Sequence, residues 1–393
     1  MYRIAALIVD DCPGLRFAGL DLADRAQRLA RRAGVTCVHV VADERPFADL
    51  PLADLLLVLP TSLIAEPKAI VDLLRRGLQQ DEDAVAVADA HGRDTGLMLL
   101  SFEATERVRP ARHLRSARHR LAVECALRTV RIGTRFVRRL RDAADVARME
   151  VDYLRHVNGG DGEGWFTRNI RACSIPVSRR LLRWSIGPNQ VTIVGFVLAV
   201  LAGLSFARGG YWAGVAGALL YWTSMVFDCC DGEVARGSLR ESSYGAWLET
   251  VTDYLSYFVV LGGIVWGDVR LEGFDHHTTA AVVAALASLA IVLLVGYLRA
   301  RVAASNPGAF DDALAAELQR GTVTQRFAVW GRQLIKRSFM AHLIVVQAAI
   351  GFIPALTEIW AYGAVAALVI VAAVHTHIIR SVRVQPFRPA ISL

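Results

Sequence analysis

Between Asp228 and Asp253 the sequence reads DCCDGEVARGSLRESSYGAWLETVTD, setting four carboxylates, Asp228, Asp231, Glu249 and Asp253, beside long apolar runs. Charge inside or at the edge of a bilayer costs several kcal/mol, so acids clustered there serve a cation or a reaction. Asp228 and Asp231 are three residues apart, while Gly245, Glu249 and Asp253 follow one another at intervals of four. Each set therefore shares one face of a helix. Two helices meeting along those faces would aim the carboxylates at one point, with Arg236 on the turn between them. Acids so close repel one another unless cations bridge them, and hard oxygen ligands suit Mg²⁺, Mn²⁺ or Ca²⁺. A divalent ion beside an arginine points to a phosphorylated substrate. The competing reading, an acidic turn between two spans, leaves costly carboxylates without a use.

In these positions the sequence resembles the CDP-alcohol phosphotransferases, whose pattern is D-x-x-D-G-x-x-A-R, eight residues, then G-x-x-x-D-x-x-x-D. Asp228, Asp231, Gly232, Ala235, Arg236, Gly245 and Asp253 fall in register, and Glu249 stands where the family has a third aspartate. The resemblance implies attack of an alcohol on the β-phosphorus of a CDP-alcohol, with release of CMP. It makes Asp228, Asp231, Glu249 and Asp253 the ligands of Mg²⁺ or Mn²⁺, expected as two ions, and Asp253 the general base. Asp228, Gly232, Arg236, Gly245 and Asn189 are then expected to hold the CDP group. The extra methylene of Glu249 displaces its carboxylate, so the site must shift slightly or work less well.

The chain has 393 residues, 54% of them apolar, which is too apolar for an ordinary soluble protein. Of its 44 lysines and arginines only Lys68 and Lys336 are lysine, and the formal net charge is +7. Because the arginines flank apolar spans, they read as anchors near anionic headgroups, and no nucleic-acid partner is expected. The six cysteines (Cys12, Cys37, Cys125, Cys173, Cys229, Cys230) follow no metal-ligand or disulfide spacing. Cys229 and Cys230, inside the acidic stretch, read as small apolar fillers. No charged, apolar and small-residue succession opens the chain, so no signal peptide is expected.

Residues 1–105 read as a soluble α/β domain. Apolar runs at 3–9, 35–41, 54–59, 84–88 and 97–102 suit buried strands, and 21–33 has helical periodicity closed by Gly34. Strands alternating with helices favour a mostly parallel sheet. The run GLDLADRAQRLARRAGVTCVHVVADE resembles the opening of sugar-nucleotide nucleotidyltransferases. The chain departs from them where chemistry would reside. Val9-Asp10-Asp11-Cys12-Pro13-Gly14 leads into the helix without a glycine-rich phosphate loop, and Pro60-Thr61-Ser62-Leu63 offers no metal-binding aspartate after the third strand. The domain reads as a degenerate, silent relative, against a trimmed but active cytidylyltransferase.

Residues 106–160 are arginine- and alanine-rich with apolar positions at helical spacing, expected as a basic helical linker, either solvated or lying on the membrane. Residues 161–186 read as an interfacial amphipathic helix. Residues 187–385 form the expected membrane domain, all-α and polytopic. Its six spans are drawn at 190–207, 211–228, 244–266, 279–299, 339–356 and 359–380, each near the ~20 residues a bilayer needs. Arginines gather after the second and fourth spans, which places both termini in the cytoplasm of a bacterial-type cell membrane. Asp275, His276 and His277, on the loop after the third span, lack a further ligand in sequence and read as solvated.

Gly187-Pro188-Asn189-Gln190-Val191-Thr192 and the preceding W-F-T-R-N-I resemble enzymes that join inositol phosphates through CDP-inositol. This implies a CDP-alcohol donor, of the CDP-diacylglycerol or CDP-inositol type, and an alcohol or phosphorylated-alcohol acceptor among membrane lipids. The family also implies a homodimer. For a phosphorylated acceptor, Arg299, Arg301, Lys336 and Arg337 are the candidate phosphate residues, against a purely topological role for these cations. Two other functions compete: a transporter, which would not need the D-G-x-x-A-R turn, and a lapsed membrane scaffold.

Overall fold

The computed structural model describes residues 3–43, 46–47, 53–79, 81–131, 135–159, 164–302, 337–351, 353, 357–366, 368–369 and 372. The chain divides into two compact units. One comprises Met1–Asp161, Ile175–Pro188 and Gly232–Glu241, the other Gly162–Ser174, Asn189–Asp231 and Ser242–Leu393.

In the first unit the strands are β1 (Ile4–Asp10), β2 (Arg16–Phe17), β3 (Leu20–Asp21), β4 (Cys37–Ala42), β5 (Leu55–Pro60), β6 (Leu63–Ala65), β7 (Ala84–Ala88), β8 (Asp94–Ser101), β9 (Leu127–Arg131) and β10 (Val137–Arg139). Between them lie α1 (Leu22–Arg32), α2 (Pro67–Arg76), α3 (Phe102–Val108) and α4 (Leu114–Glu124), and α5 (Ala143–Asn158) follows. Six strands form one sheet in the order β4-β1-β5-β8-β7-β9. Successive residues of β1 point to opposite faces. Ala6 and Ile8 join a core with Ala26, Leu29, Ile70 and Leu73 of α1 and α2. Ala5, Leu7 and Val9 join another with Ala104, Val108, Ala117 and Leu121 of α3 and α4. The result is three layers, helices covering both faces of a sheet.

Two expectations change here. The sheet is mixed: β4-β1-β5 and β7-β9 pair in parallel, but β8 runs antiparallel to both β5 and β7. A short turn joins β7 to β8, and a hairpin can only make an antiparallel pair. Residues 106–160, expected as a helical linker, supply α4, α5, β10 and the edge strand β9. The run LRTVR is short, largely polar and without alternation, as an edge strand allows, and arginine-rich helical patterns surround it.

Local chemistry explains the helix limits. Asp21 caps α1 by accepting from the Ala23 N–H at 2.9 Å, and Gly34, at φ +91°, follows its last turn. The chain continues with α6 (Trp165–Arg183), α7 (Pro188–Arg208), α8 (Tyr211–Gly237), α9 (Ser243–Glu272), α10 (His276–Val302) and α11 (Arg337–Ala349). Three of these, α7, α8 and α9, are long and apolar enough to cross a membrane. The fourth expected span lies within α10 and the fifth partly within α11; of the sixth, only 359–366, 368–369 and 372 are described. The count of six is therefore not reproduced among the described residues.

In the second unit α7 is the common neighbour of α8 and α9. Ser224 Oγ of α8 donates to the Gly195 carbonyl of α7 at 2.8 Å, and Ser205 Oγ of α7 donates to the Ala213 carbonyl at 2.9 Å, so these two helices run antiparallel. Between α7 and α9 the contact is glycine on glycine. A Cβ placed on Gly263 would lie 2.2 Å from the Gly203 carbonyl oxygen. Small residues let helix backbones approach this closely, which is how membrane helices associate where burial of apolar surface offers no driving force.

Candidate active site

Helix α8 carries the first half of the acidic motif, and it ends later than expected. At 27 residues it is about 40 Å long, more than the ~30 Å of a hydrocarbon core, so it has length to continue beyond an apolar slab. Arg236 therefore lies in the last helical turn, not on a connecting turn. A cation is favoured there by the negative end of the helix dipole. The helix stops where Leu239 takes the left-handed conformation at φ +53° and the Arg240 N–H returns to the Ala235 carbonyl at 2.8 Å.

The second half of the motif opens α9. Ser242 is its N-cap, accepting from the Gly245 N–H at 3.0 Å. That bond fixes the helical register in which Gly245, Glu249 and Asp253 share a face.

Both halves come to the first turn of α7. Thr192 Oγ1 donates to Asp231 Oδ2 at 2.7 Å, and Asp231 is 3% exposed. A Cβ on Gly245 would lie 3.2 Å from Asn189 Oδ1 and 3.1 Å from Ser242 Oγ. Asn189 and Thr192 are thus one turn apart on one helix, each against a different half of the motif. Asp228, Glu249 and Asp253 are half-buried. The donor set is all carboxylate oxygen, with one member buried and oriented by a hydroxyl. Such a set fits a hard divalent cation, and an outer hydrogen bond of this kind fixes a ligand's orientation.

Gly232 and Arg236 follow on α8. A Cβ on Gly232 would approach Arg236 Nη2 to 2.6 Å, the end of a flexible side chain. The backbone therefore does not demand glycine at 232, and the guanidinium lies along its own helix beside it. Arg236 Nε donates to Asn158 Oδ1, whose amide nitrogen donates to the Leu154 carbonyl at 2.7 Å. Arg299 and Arg301 fall in the last turns of α10 and Arg337 opens α11, while Lys336 lies outside the described residues.

Three polar partners escaped the sequence reading. Thr192 had a signal, its place one turn beyond Asn189 in a run already singled out. Glu233, fully buried and accepting from Ser178 Oγ at 2.7 Å, had the signal of a charge inside an apolar helix beside the motif. Asn158 had none, since it ends a stretch whose pattern reads as a polar helix.

The family model for CDP-alcohol phosphatidyltransferases matches residues 185–379. An archaetidylinositol phosphate synthase of Methanothermobacter thermautotrophicus is 30% identical over 182 residues, 45% of this chain and 86% of the relative. The chain belongs to the CDP-alcohol phosphatidyltransferase family. A phosphatidylinositol phosphate synthase of Mycobacteroides abscessus is 32% identical over 133 residues, 33% of this chain and 57% of that protein. A bifunctional IPC transferase and DIPP synthase of Aquifex aeolicus is 31% identical over 121 residues, 30% of this chain and 27% of the relative. The chain thus spans a little over half the length of the mycobacterial relatives it matches. The crystal structure of Mycobacterium tuberculosis phosphatidylinositol phosphate synthase in apo form has a TM-score of 0.38 at 24% identity, covering 54% of this chain and 99% of that one.

Proposed function

We propose that the chain is a membrane transferase that moves a substituted phosphate from a CDP-alcohol to an alcohol acceptor and releases CMP. The observation that carries this reading is the meeting of both motif halves at the first turn of α7, through Thr192 and Asp231 on one side and Asn189 and Gly245 on the other. Relatives named for inositol phosphate products support an inositol phosphate as acceptor. The same names favour a donor of the CDP-diacylglycerol type, with CDP-inositol as the other form to test.

In this reading Asp228, Asp231, Glu249 and Asp253 hold divalent cation, Mg²⁺ or Mn²⁺, as a pair of ions. Bound metal would supply charge neutralisation on the pyrophosphate. Asn189 and Gly245 take the cytidine end, where the absence of a side chain at 245 leaves space beside the Asn189 amide. Asp228 and Gly232 complete that subsite, and Arg236 holds a phosphate oxygen by charge-assisted hydrogen bonds. Asp253 accepts the proton of the incoming hydroxyl as its oxygen bonds to the β-phosphorus. The bond from that phosphorus to the bridging oxygen breaks, and the electron pair leaves with CMP. Arg299, Arg301, Lys336 and Arg337 are the residues proposed to grip an acceptor phosphate, and residues 187–385 the catalytic domain, working as a homodimer in a cell membrane with both termini cytoplasmic.

The test is CMP release by the purified full chain from CDP-diacylglycerol and CDP-inositol, each offered inositol, inositol phosphate and glycerol phosphate with Mg²⁺. Release that depends on one acceptor identifies the reaction. No release with any pair would leave a scaffold or transporter as the better account.

A further inference from the structure

The turn from α9 to α10 carries Asp275, His276 and His277, and the described structure adds a ligand to them. Glu358, on the helical stretch 357–366, places Oε1 at 3.4 Å from His276 Nε2 and at 3.4 Å from His277 Nδ1. These separations are long for charge-assisted hydrogen bonds, which run about 2.7–2.9 Å. They match the edge of a tetrahedron around an ion bound at ~2.0–2.1 Å, which is about 3.3 Å. Ligand atoms of Asp275, His276 and His277 also all lie within 4.8 Å of one another.

Two further observations fit a bound cation. His277 Nδ1 is buried and has no hydrogen-bond partner, although it faces a carboxylate. Asp268, 7% exposed, has an unpartnered Oδ2 and lies within electrostatic reach of Asp275, His276 and His277. Asp275 is already divided between two tasks. Its Oδ1 accepts from the Thr278 N–H at 3.0 Å, capping α10, while Oδ2 stands 3.7 Å from His276 Nδ1. At that distance the contact is electrostatic and not a hydrogen bond, and it leaves His276 Nε2 facing Glu358.

We propose that His276 Nε2, His277 Nδ1 and Glu358 Oε1 bind a borderline divalent cation of the zinc class, with the Asp275 carboxylate adding negative charge beside His276. Two imidazoles and a carboxylate suit zinc rather than the hard ions favoured by an all-carboxylate set. The site is remote from the motif, since Asp253 and Glu272 are separated by about 30 Å of helix. The ion ties the α9–α10 turn to the 357–366 helix and stabilises the folded chain by an amount that rises with the logarithm of the free ion concentration above Kd. Binding needs neutral imidazoles, so any proton on His276 or His277 is released to solvent and no redox change occurs.

The experiment uses the purified full chain in detergent, stripped with chelator, equilibrated with Zn²⁺, desalted, and analysed for bound zinc without substrate. Wild type is expected to retain one zinc equivalent more than His276→Ala/His277→Ala or Glu358→Gln, a difference that cancels any zinc held by the acidic motif. Co²⁺ in place of Zn²⁺ is expected to give the visible bands of a low-coordinate site in wild type only, and Zn²⁺ to raise the thermal midpoint of wild type only. CMP release with Mg²⁺ should be unchanged in the variants. Equal zinc content and equal Co²⁺ spectra in wild type and folded Glu358→Gln would overturn the proposal and leave an ordinary histidine–glutamate ion pair.

Discussion

At residue scale the motif is informative because its carboxylates have different surroundings. Asp231 is buried and receives the Thr192 hydroxyl, whereas Asp253 is half-buried and one turn beyond Glu249. A buried ligand needs its second oxygen satisfied, and Thr192→Val removes the donor while keeping the volume. A hydrogen bond to a charged group contributes about 1.5–3 kcal/mol, and loss of such an outer partner costs ~10–100-fold in metal affinity. We expect that range as a rise in the Mg²⁺ concentration needed for half-maximal CMP release; an unchanged requirement would remove Thr192 from the site. Asp253→Asn should lower the rate by ~10²–10⁴ while CDP-alcohol still binds, because a general base contributes about that much. Binding measured by calorimetry alongside turnover separates this from a folding defect. Glu249→Asp, which restores the family residue, should leave the rate equal or higher in the same assay.

At element scale the apolar runs were legible and their ends were not. Helices α7 and α9 lie where hydropathy places them, because a run of apolar residues near bilayer length has few other folded forms. The continuation of α8 past Asp231 to Gly237 is hidden in the sequence, where Arg236 reads as part of the turn between two helices. Charge ends only the span; the helix keeps its backbone bonds beyond it. What hydropathy could not reveal is which glycines meet. Gly262 and Gly263 are adjacent and equally apolar in sequence. A Cβ at 262 would have nothing within 4 Å, whereas at 263 it would strike the backbone of α7. Gly263→Leu is therefore expected to push α7 from α9, costing at least the ~1–3 kcal/mol of overpacking and separating Gly245 from Asn189. Gly262→Leu should change neither the thermal midpoint in detergent nor CMP release. Equal behaviour of the two variants would show that α7 and α9 do not pack through this contact.

At the scale of the whole chain, the sequence divides correctly into an α/β region and a helical one, but the sheet reaches farther than its apolar strands suggest. Edge strand β9 reads Leu-Arg-Thr-Val-Arg with no apolar–polar alternation, so pattern alone could not separate it from a polar helix. Residues 232–241, read from sequence as membrane domain, belong to the unit that holds the sheet. There Arg25 of α1, stacked between the rings of Phe17 and Tyr153, donates to the Gly237 carbonyl at 2.6 Å and so satisfies the end of α8. A buried arginine in α1 gives no hint in sequence of a partner more than two hundred residues on.

The same unit bears on whether the chain makes its own CDP-alcohol. In an open α/β sheet, ligands bind beyond the carboxyl ends of parallel strands, here those of β1 and β5. The acids at the sheet's carboxyl ends are engaged by the chain's own groups. Asp11 accepts from the Ser62 N–H at 2.8 Å, from Ser62 Oγ at 2.6 Å and from Thr61 Oγ1 at 3.1 Å, and it pairs with Arg139. Asp89, after β7, is equally committed. Burial pushes its carboxyl up, but bonds from the Arg93 N–H, the Arg93 guanidinium and the His91 N–H win and hold it below the usual range. A carboxylate already saturated by hydroxyls and arginine is a poor ligand for the Mg²⁺ that must accompany a triphosphate. No glycine-rich loop stands at Asp11–Gly14 to cradle the phosphates. The full chain, incubated with CTP, Mg²⁺ and either inositol phosphate or phosphatidic acid, is accordingly expected to release no pyrophosphate, while the same preparation releases CMP from ready-made CDP-alcohol. Pyrophosphate release that persists in Asp253→Asn, where transfer is blocked, would place a working cytidylyltransferase in the α/β unit and refute its reading as a silent domain.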